Sequence, residues 1–237
     1  MKNIITFFLI ASSLSTTLLL GCDSENGVSA NAHSTGQLND VRNGYSQTYR
    51  TVTIGSQTWM AENLNYETLN SWCYENLQRN CNRYGRLYTW AAASTACPSG
   101  WHLPSVAEWE ILIKNVGGIE DTAETVYYFK TYLFAGKKLK SKDEWQAYIN
   151  DEYNRSLLPG EDQYGFTALP AGFYAKKGDE YPFLNMGHAA RFWTSNGSGG
   201  YDNNPFHISL KFSWDEIRIN GDTSSLSNGF SVRCVKD

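Results

Sequence analysis

Three sets of side chains in this 237-residue chain could do chemistry: five cysteines, four histidines, and the rings, amides and carboxylates gathered near its end. Four of the thiols, Cys73, Cys81, Cys97 and Cys234, form no Cys-x-x-Cys and no close His–Cys cluster, which makes a zinc site a poor reading. An even set in an exported chain points instead to two disulfides, and four cysteines allow three pairings. Cys73–Cys81 with Cys97–Cys234 is the favoured pairing: the first closes a short polar loop, and the second ties an early helical layer to the last strand. In the chain-entropy account these closures contribute ~2.6 and ~5 kcal/mol. His102 reads as a hydrogen-bonded core residue rather than a base, and His188 and His207 stand alone. Gly-x-Ser-x-Gly, His-Glu-x-x-His and a phosphate loop are all missing, so no catalytic constellation is assigned.

The stretch from Trp193 to Gly229 is the candidate binding surface. Its candidate residues are Trp193, Tyr201, Asp202, Asn203, Trp214 and Asp215. Rings stack on the CH faces of sugars, while amides and carboxylates fix hydroxyls. Loops carried on a rigid sheet are where binding sites concentrate. At least half of the aromatics there, with Phe206 and Trp214 the foremost cases, are expected in a core. Asp202, Asn203, Asp215 and Glu216 could give calcium some of its six to eight oxygens. Solvated loop residues account for them equally, so no metal and no cofactor is assigned.

The elements that must position these groups follow from periodicity. Thr51-Val52-Thr53-Ile54 alternates, Gly55-Ser56 turns, and Gln57–Met60 returns as a hairpin. Arg86–Ala96 reads as a helix stopped by Cys97-Pro98-Ser99-Gly100. Ser105 and Glu108 form a capping box ahead of a helix with Trp109, Leu112, Ile113 and Val116 on one face, ended by Gly117-Gly118. A second box, Asp121 with Glu124, predicts a helix running through Phe129 to Phe134 and closed by Gly136. Strands are expected around 166–169, 191–194, 206–210, 216–219 and 229–235. The Lys137-Lys138-x-Lys140-x-Lys142 run reads as a solvated face offset by Asp143 and Glu144. Helices early and strands late imply an α+β fold in one domain over 49–237.

Hydrophobic residues make up 41% of the chain and aromatics 14%, enough for a packed core. A formal charge of −4 argues against a nucleic-acid partner. The apolar stretch from Ile4 to Leu20 is too interrupted to span a membrane well and reads as a signal peptide over 1–21. Leu19-Leu20-Gly21-Cys22 resembles the bacterial lipobox, which makes Cys22 the expected lipidation site and the membrane a partner through that anchor. Residues 22–48 are polar and lack a period, so they are expected to form a flexible tether with a reach of ~28 Å, a small N-terminal strand supplied by Val41 or Tyr45 being the alternative.

Longer motifs carry a family resemblance. Trp72-Cys73-Tyr74, Tyr84-Gly85-Arg86-Leu87-Tyr88-Thr89-Trp90, Ala96–Ser105, Glu108-Trp109, Leu169-Pro170-Ala171-Gly172, Phe192–Ser195 and Gly229–Asp237 closely resemble the Fibrobacter succinogenes major paralogous domain. That resemblance implies an exported, often lipid-anchored envelope protein of undefined biochemical role. Leu103-Pro104-Ser105 with Glu108-Trp109, and the ending Gly-Phe-Ser-Val-Arg, are more distantly similar to the C-type-lectin-like and formylglycine-generating-enzyme superfamily. The similarity implies two or three helices on a twisted antiparallel sheet with long polar loops and a helix-to-last-strand bridge. The expected function is therefore a lectin-like, non-catalytic outer-membrane lipoprotein, on the surface or periplasmic face. It would bind a polysaccharide or an envelope protein through 193–229. An enzyme of the formylglycine-generating type and a structural coat protein are the alternatives.

Overall fold

The hairpin read from Thr51–Met60 is the middle of a longer meander. In the computed structural model, which describes residues 33–123, 129–147, 155–175, 180, 182–195, 205–221 and 226–237, β1 (Ser34–Arg42) pairs antiparallel with β2 (Tyr45–Ile54), and β2 with β3 (Gln57–Met60). The tether expected over 22–48 is therefore corrected: from Ser34 onward it is sheet. Most of β1 is exposed because it is an edge strand, so its sequence lacks a hydrophobic signature, and only Leu38 and Asp40 are buried. Arg42 fixes the strand to the fold by donating to the carbonyls of Ala96 and Cys97 at 2.7 and 3.2 Å. The expected signal peptide and Cys22 lie outside the described residues.

The chain continues with β4 (Ser71–Trp72), a 3-10 turn over Tyr74–Asn76, α1 (Gln78–Tyr84), β5 (Leu87–Tyr88) and α2 (Trp90–Ala96). The helix expected from Arg86 begins only at Trp90, with the Thr89 side chain accepting from Ala92 N as its cap. Leu87 and Tyr88 are claimed by pairing with β4, and the Tyr88 backbone also exchanges hydrogen bonds with Phe230. After β6 (Trp101–His102), α3 (Val106–Asn115) carries the capping box as read: Ser105 accepts from Glu108 N, and the Glu108 carboxylate accepts from Ser105 N at 2.7 Å.

Next come β7 (Ile119–Glu120), β8 (Phe129–Leu133) and α4 (Gly136–Leu139). The helix predicted through Phe129–Phe134 is thus a strand, and Glu124 of its cap lies outside the described residues. Pairing of β8 with a late strand overrides a local pattern that fits either period. The remaining elements are β9 (Ala171–Tyr174), β10 (Phe183–Met186), β11 (Ala189–Trp193), β12 (His207–Lys211), β13 (Ile217–Asn220) and β14 (Val235–Lys236). The strand expected at 166–169 is irregular apart from a bridge at Ala168. Residues 229–231 make single bridges before the short β14.

Among the described residues, then, four helices, one of them a single turn, accompany sheets in the orders β1-β2-β3-β14-β6 and β10-β9-β11-β12-β13-β8-β7, with the pair β4-β5. Among these strands all pairings are antiparallel except β9 with β11, single parallel bridges join Lys140 to Ala168 and Phe192 to Ser231, and the fold is α+β. One core packs Trp109, Leu112 and Ile113 of α3 and its C-cap Val116 against Phe192, Ile208, Leu210, Ile217 and Ile219 of the larger sheet and Val52, Ile54 and Trp59 of the smaller one. A second gathers Tyr88, Ala93, Ala96, Phe173, Trp193, Phe230 and Val232. Phe192 and Trp193 are neighbours in β11 and enter opposite cores, as strand alternation requires. Both expected disulfides are present, Cys73–Cys81 and Cys97–Cys234.

Two cations are buried by carbonyls rather than carboxylates. Arg233 is fully buried, with Nε on Asn63 Oδ1 at 2.6 Å and its Nη atoms on the carbonyls of Met60, Phe166 and Thr167. Lys140, expected on a solvated face, is also fully buried. Its Nζ donates to the carbonyls of Leu158 at 2.7 Å and Trp214 at 2.9 Å, and burial pulls its pKa down to about 8. No described helix is long and apolar enough to cross a membrane.

Candidate functional site

Trp72 owes its position to two constraints. It ends β4, held by β5, and it precedes Cys73, whose bridge to Cys81 closes the following turn. Tyr174 ends β9 and exchanges backbone hydrogen bonds with Gly229 at 2.7 and 2.9 Å. The two rings stack, centroids 4.3 Å apart and planes 23° apart. Phe183 of β10 packs on Tyr174 at 5.1 Å and on Tyr74 at 5.2 Å, which extends the aromatic wall. Gly229 lets the strands close up behind it: a Cβ there would meet Tyr174 Cβ at 3.0 Å, Leu87 Cβ at 3.3 Å and the Trp72 ring at 3.4 Å.

Trp72 and Tyr174 line a cleft of about 450 Å³ together with Asn70, Thr89, Ala91, Leu226 and Ser227. That is within the ~300–1,000 Å³ usual for ligand sites, and a few polar groups among aromatic walls is the usual lining. Backbone bonds from Thr89 N to Asn70 O at 3.1 Å and from Trp90 N to Leu226 O at 3.2 Å join three separate stretches of chain around it. Leu69, 90% exposed, adjoins Asn70 at the rim. A groove of about 630 Å³ between β1, β2 and Gly165 is larger, but among the described residues no aromatic side chain lines it. The cleft is therefore the better fit to a flat, partly apolar ligand.

The residues chosen from the sequence are distributed otherwise. Trp193 is buried, and its indole N–H donates to Tyr88 O at 2.7 Å, so it supports the second core and is not a ligand surface. Tyr201, Asp202 and Asn203 lie outside the described residues. Trp214 is half-buried with Lys211 Nζ and Arg218 Cζ each 4.1 Å from its ring centroid, so cations occupy the surroundings expected for sugar. Asp215 secures the start of α4: its Oδ1 accepts from Lys137 N at 3.2 Å and its carbonyl from Gly136 N at 2.6 Å. The Glu216 carboxylate pairs with Arg218 at 2.6 Å. Among the described residues no three His, Cys, Asp or Glu side chains come together as metal ligands. Phe206 is buried, as expected for part of this stretch.

His102 is corrected from a core residue to a half-exposed one whose two ring nitrogens face Asp237 and Glu108, each at 2.7 Å. Desolvation works against its charge, but the bonds to Asp237 and Glu108 outweigh it and raise its pKa. This arrangement ties Asp237 to the capping box of α3, with no ring nitrogen left over for general-base work. His207 is buried against Phe230 at 4.8 Å. Sequence reasoning passed over Trp72 and Tyr174. The available signal was local: Trp72 and Tyr74 flank a cysteine in a polar loop, so a disulfide would hold both rings at a surface.

What the fold and cleft define is a disulfide-braced α+β module with an aromatic-walled surface site. The chain belongs to the Fibrobacter succinogenes major domain family, whose model matches residues 52–236. No curated protein and no solved structure matches it significantly.

Proposed function

We propose that this protein is a lipid-anchored cell-envelope binding module, lectin-like in plan, that holds a polysaccharide in the cleft walled by Trp72 and Tyr174. The observation that carries the reading is the stacked ring pair at a cleft of about 450 Å³ beside Asn70, Thr89 and Ser227. Pyranose rings present CH faces to such walls, and the amide and hydroxyls supply orienting hydrogen bonds. Two well-braced rings lose little conformational entropy when a ligand lands on them, which favours binding. The lipobox-like Leu19-Leu20-Gly21-Cys22 supports an anchor, and two closed disulfides suit an oxidising compartment such as the outer envelope. The binding surface moves from the 193–229 loops to the cleft, to which that stretch contributes Leu226 and Ser227. Glycan arrays and insoluble-polysaccharide pull-downs test the reading. A retained glycan lost on Trp72→Ala supports it, and retention unchanged by Trp72→Ala, or no glycan retained at all, overturns it.

A further inference from the structure

The smaller sheet ends on a long edge. β1 has nine residues and no strand on its outer side among those described, whereas the other edge strands, β6, β7 and β10, have two, two and four. Asn43 and Gly44, with φ of 51° and 78°, make the two-residue turn into β2, and positive φ at both positions defines a type I′ hairpin. Such a turn makes its flanking residues, Arg42 and Tyr45, a hydrogen-bonded pair. Alternation along the ladder then turns the backbone groups of Asp40, Leu38, Gly36 and Ser34 toward β2. Those of Thr35, Gln37, Asn39 and Val41 point outward. Arg50, opposite Gln37, has the matching phase: its N–H goes to the Glu62 carboxylate at 2.7 Å and its carbonyl accepts from Ala61 N at 2.8 Å.

The devices that commonly close an edge are missing from β1. Its register runs through nine consecutive pairs without a bulge, and it contains no proline and no lysine. Its two charges turn inward: the Asp40 carboxylate binds Arg42 at 2.9 Å, and Arg42 reaches on to the carbonyls of Ala96 and Cys97. Thr35, Gln37, Asn39 and Val41 are uncharged and exposed, Val41 to 73%.

We propose that β1 pairs antiparallel with β1 of a second copy of this chain, about a two-fold axis between the two Leu38 residues, joining two smaller sheets into one. The strand's self-complementarity argues for that occupant. In this register Thr35 meets Val41 of the second copy and Gln37 meets Asn39, so all four outward residues exchange both backbone hydrogen bonds. Their side chains then match β-branched with β-branched and amide with amide. In the other row Leu38 meets Leu38, Arg42 meets Ser34, and Asp40 meets Gly36, which has no side chain to crowd it. No like charges stand opposite each other. The contact is isologous and closes at two copies. One strand pair is a small interface, so the dimer is weak in dilute solution and favoured where copies are crowded. An anchor at Cys22 supplies crowding: the two Ser34 residues would stand about 27 Å apart, and residues 22–33 can span up to about 40 Å, so both anchors can enter one membrane. The pairing itself rests on neither the anchor nor the Trp72 cleft.

The test uses the full chain. Residue-resolved hydrogen exchange over a concentration series is expected to show the amides of Thr35, Gln37, Asn39 and Val41 gaining protection as concentration rises, while those of Leu38 and Asp40 are protected throughout. Mild oxidation of Gln37→Cys mixed with Asn39→Cys is expected to yield a mixed cross-linked dimer, since those positions face each other with Cα atoms about 5.5 Å apart, within disulfide reach. Val41→Pro added to both chains removes an outward N–H and leaves the bonds to β2 in place, and it should cut the yield at least about tenfold. Asn39→Cys mixed with Lys142→Cys, an exposed position remote in sequence, should give only the background yield, and Trp72→Ala should change nothing. Outward amides protected at every dilution would put a segment of the same chain on the edge, and outward amides exchanging at every concentration would leave the edge to a foreign partner or to none; either result overturns the proposal. So do cross-linked homodimers of Gln37→Cys or of Asn39→Cys in place of the mixed one, or a yield undiminished by Val41→Pro.

Discussion

Removing the two disulfides one at a time should separate stability from site integrity. Cys97 and Cys234 are 137 residues apart in sequence, and Cys73 and Cys81 only 8. Chain entropy then assigns about 5 kcal/mol to the long bridge and about 2.6 kcal/mol to the short one. The long bridge joins the end of α2 to the segment that enters β14 between β3 and β6, so its loss weakens the whole fold. The short bridge lies between Trp72 and Tyr74 and braces the aromatic wall. Cys97→Ala/Cys234→Ala should therefore lower the urea unfolding free energy about twice as much as Cys73→Ala/Cys81→Ala. Native-state hydrogen exchange should show the reverse order of local damage: amides around 70–76 open selectively in the short-bridge variant. In the long-bridge variant, protection should fall everywhere in proportion to the global loss. If the short bridge costs as much as the long one, or if 70–76 exchanges no faster without it, the assignment of roles is wrong.

Gly229→Ala should cost about 1–3 kcal/mol of stability by thermal unfolding, because its new methyl presses Tyr174, Leu87 and Trp72 apart at 3.0–3.4 Å. Gly172→Ala should be worse, since its φ is +66° and a Cβ would stand 2.4 Å from Leu184 O. An unchanged melting temperature would contradict that close packing. The raised pKa of His102 makes its contribution to stability full below its unfolded value of 6.5 and lost as pH climbs through the folded value. Urea midpoints measured from pH 6 to 8 should accordingly fall in the wild type relative to His102→Gln, and parallel curves would refute the clamp. The pKa of Glu108 is depressed: desolvation opposes its charge, and bonds from Ser105 and His102 prevail. Its share is present above its unfolded value and disappears on acidification through the folded one.

Local chemistry was legible in the sequence wherever a few neighbouring residues decide the structure. The Ser105–Glu108 capping box and the Gly55-Ser56 hairpin turn are of this kind; the cysteine count pointed to two bridges, and the pairing favoured among the three possible is the one present. Elements decided by distant partners were not legible. Phe129–Leu133 is a strand because β13 pairs with it, and Leu87–Tyr88 leave a helical pattern because β4 and Phe230 claim their backbone. Lys140 looked solvated because its partners, the carbonyls of Leu158, Lys211, Phe212 and Trp214, lie far along the chain. The cleft was hidden for the same reason: Trp72, Thr89, Tyr174 and Leu226 are far apart in sequence and come together only in the fold. Trp193, chosen for its ring, turned out to be core because alternation along β11 places it opposite Phe192 in the second core.

The most direct measurement of the central claim is a nuclear magnetic resonance titration that follows the tryptophan indole N–H signals as a retained glycan is added. The account predicts a saturable shift of the Trp72 signal, while that of Trp193, locked onto Tyr88 O, stays in place. Movement of the Trp214 signal with Trp72 unmoved would contradict it.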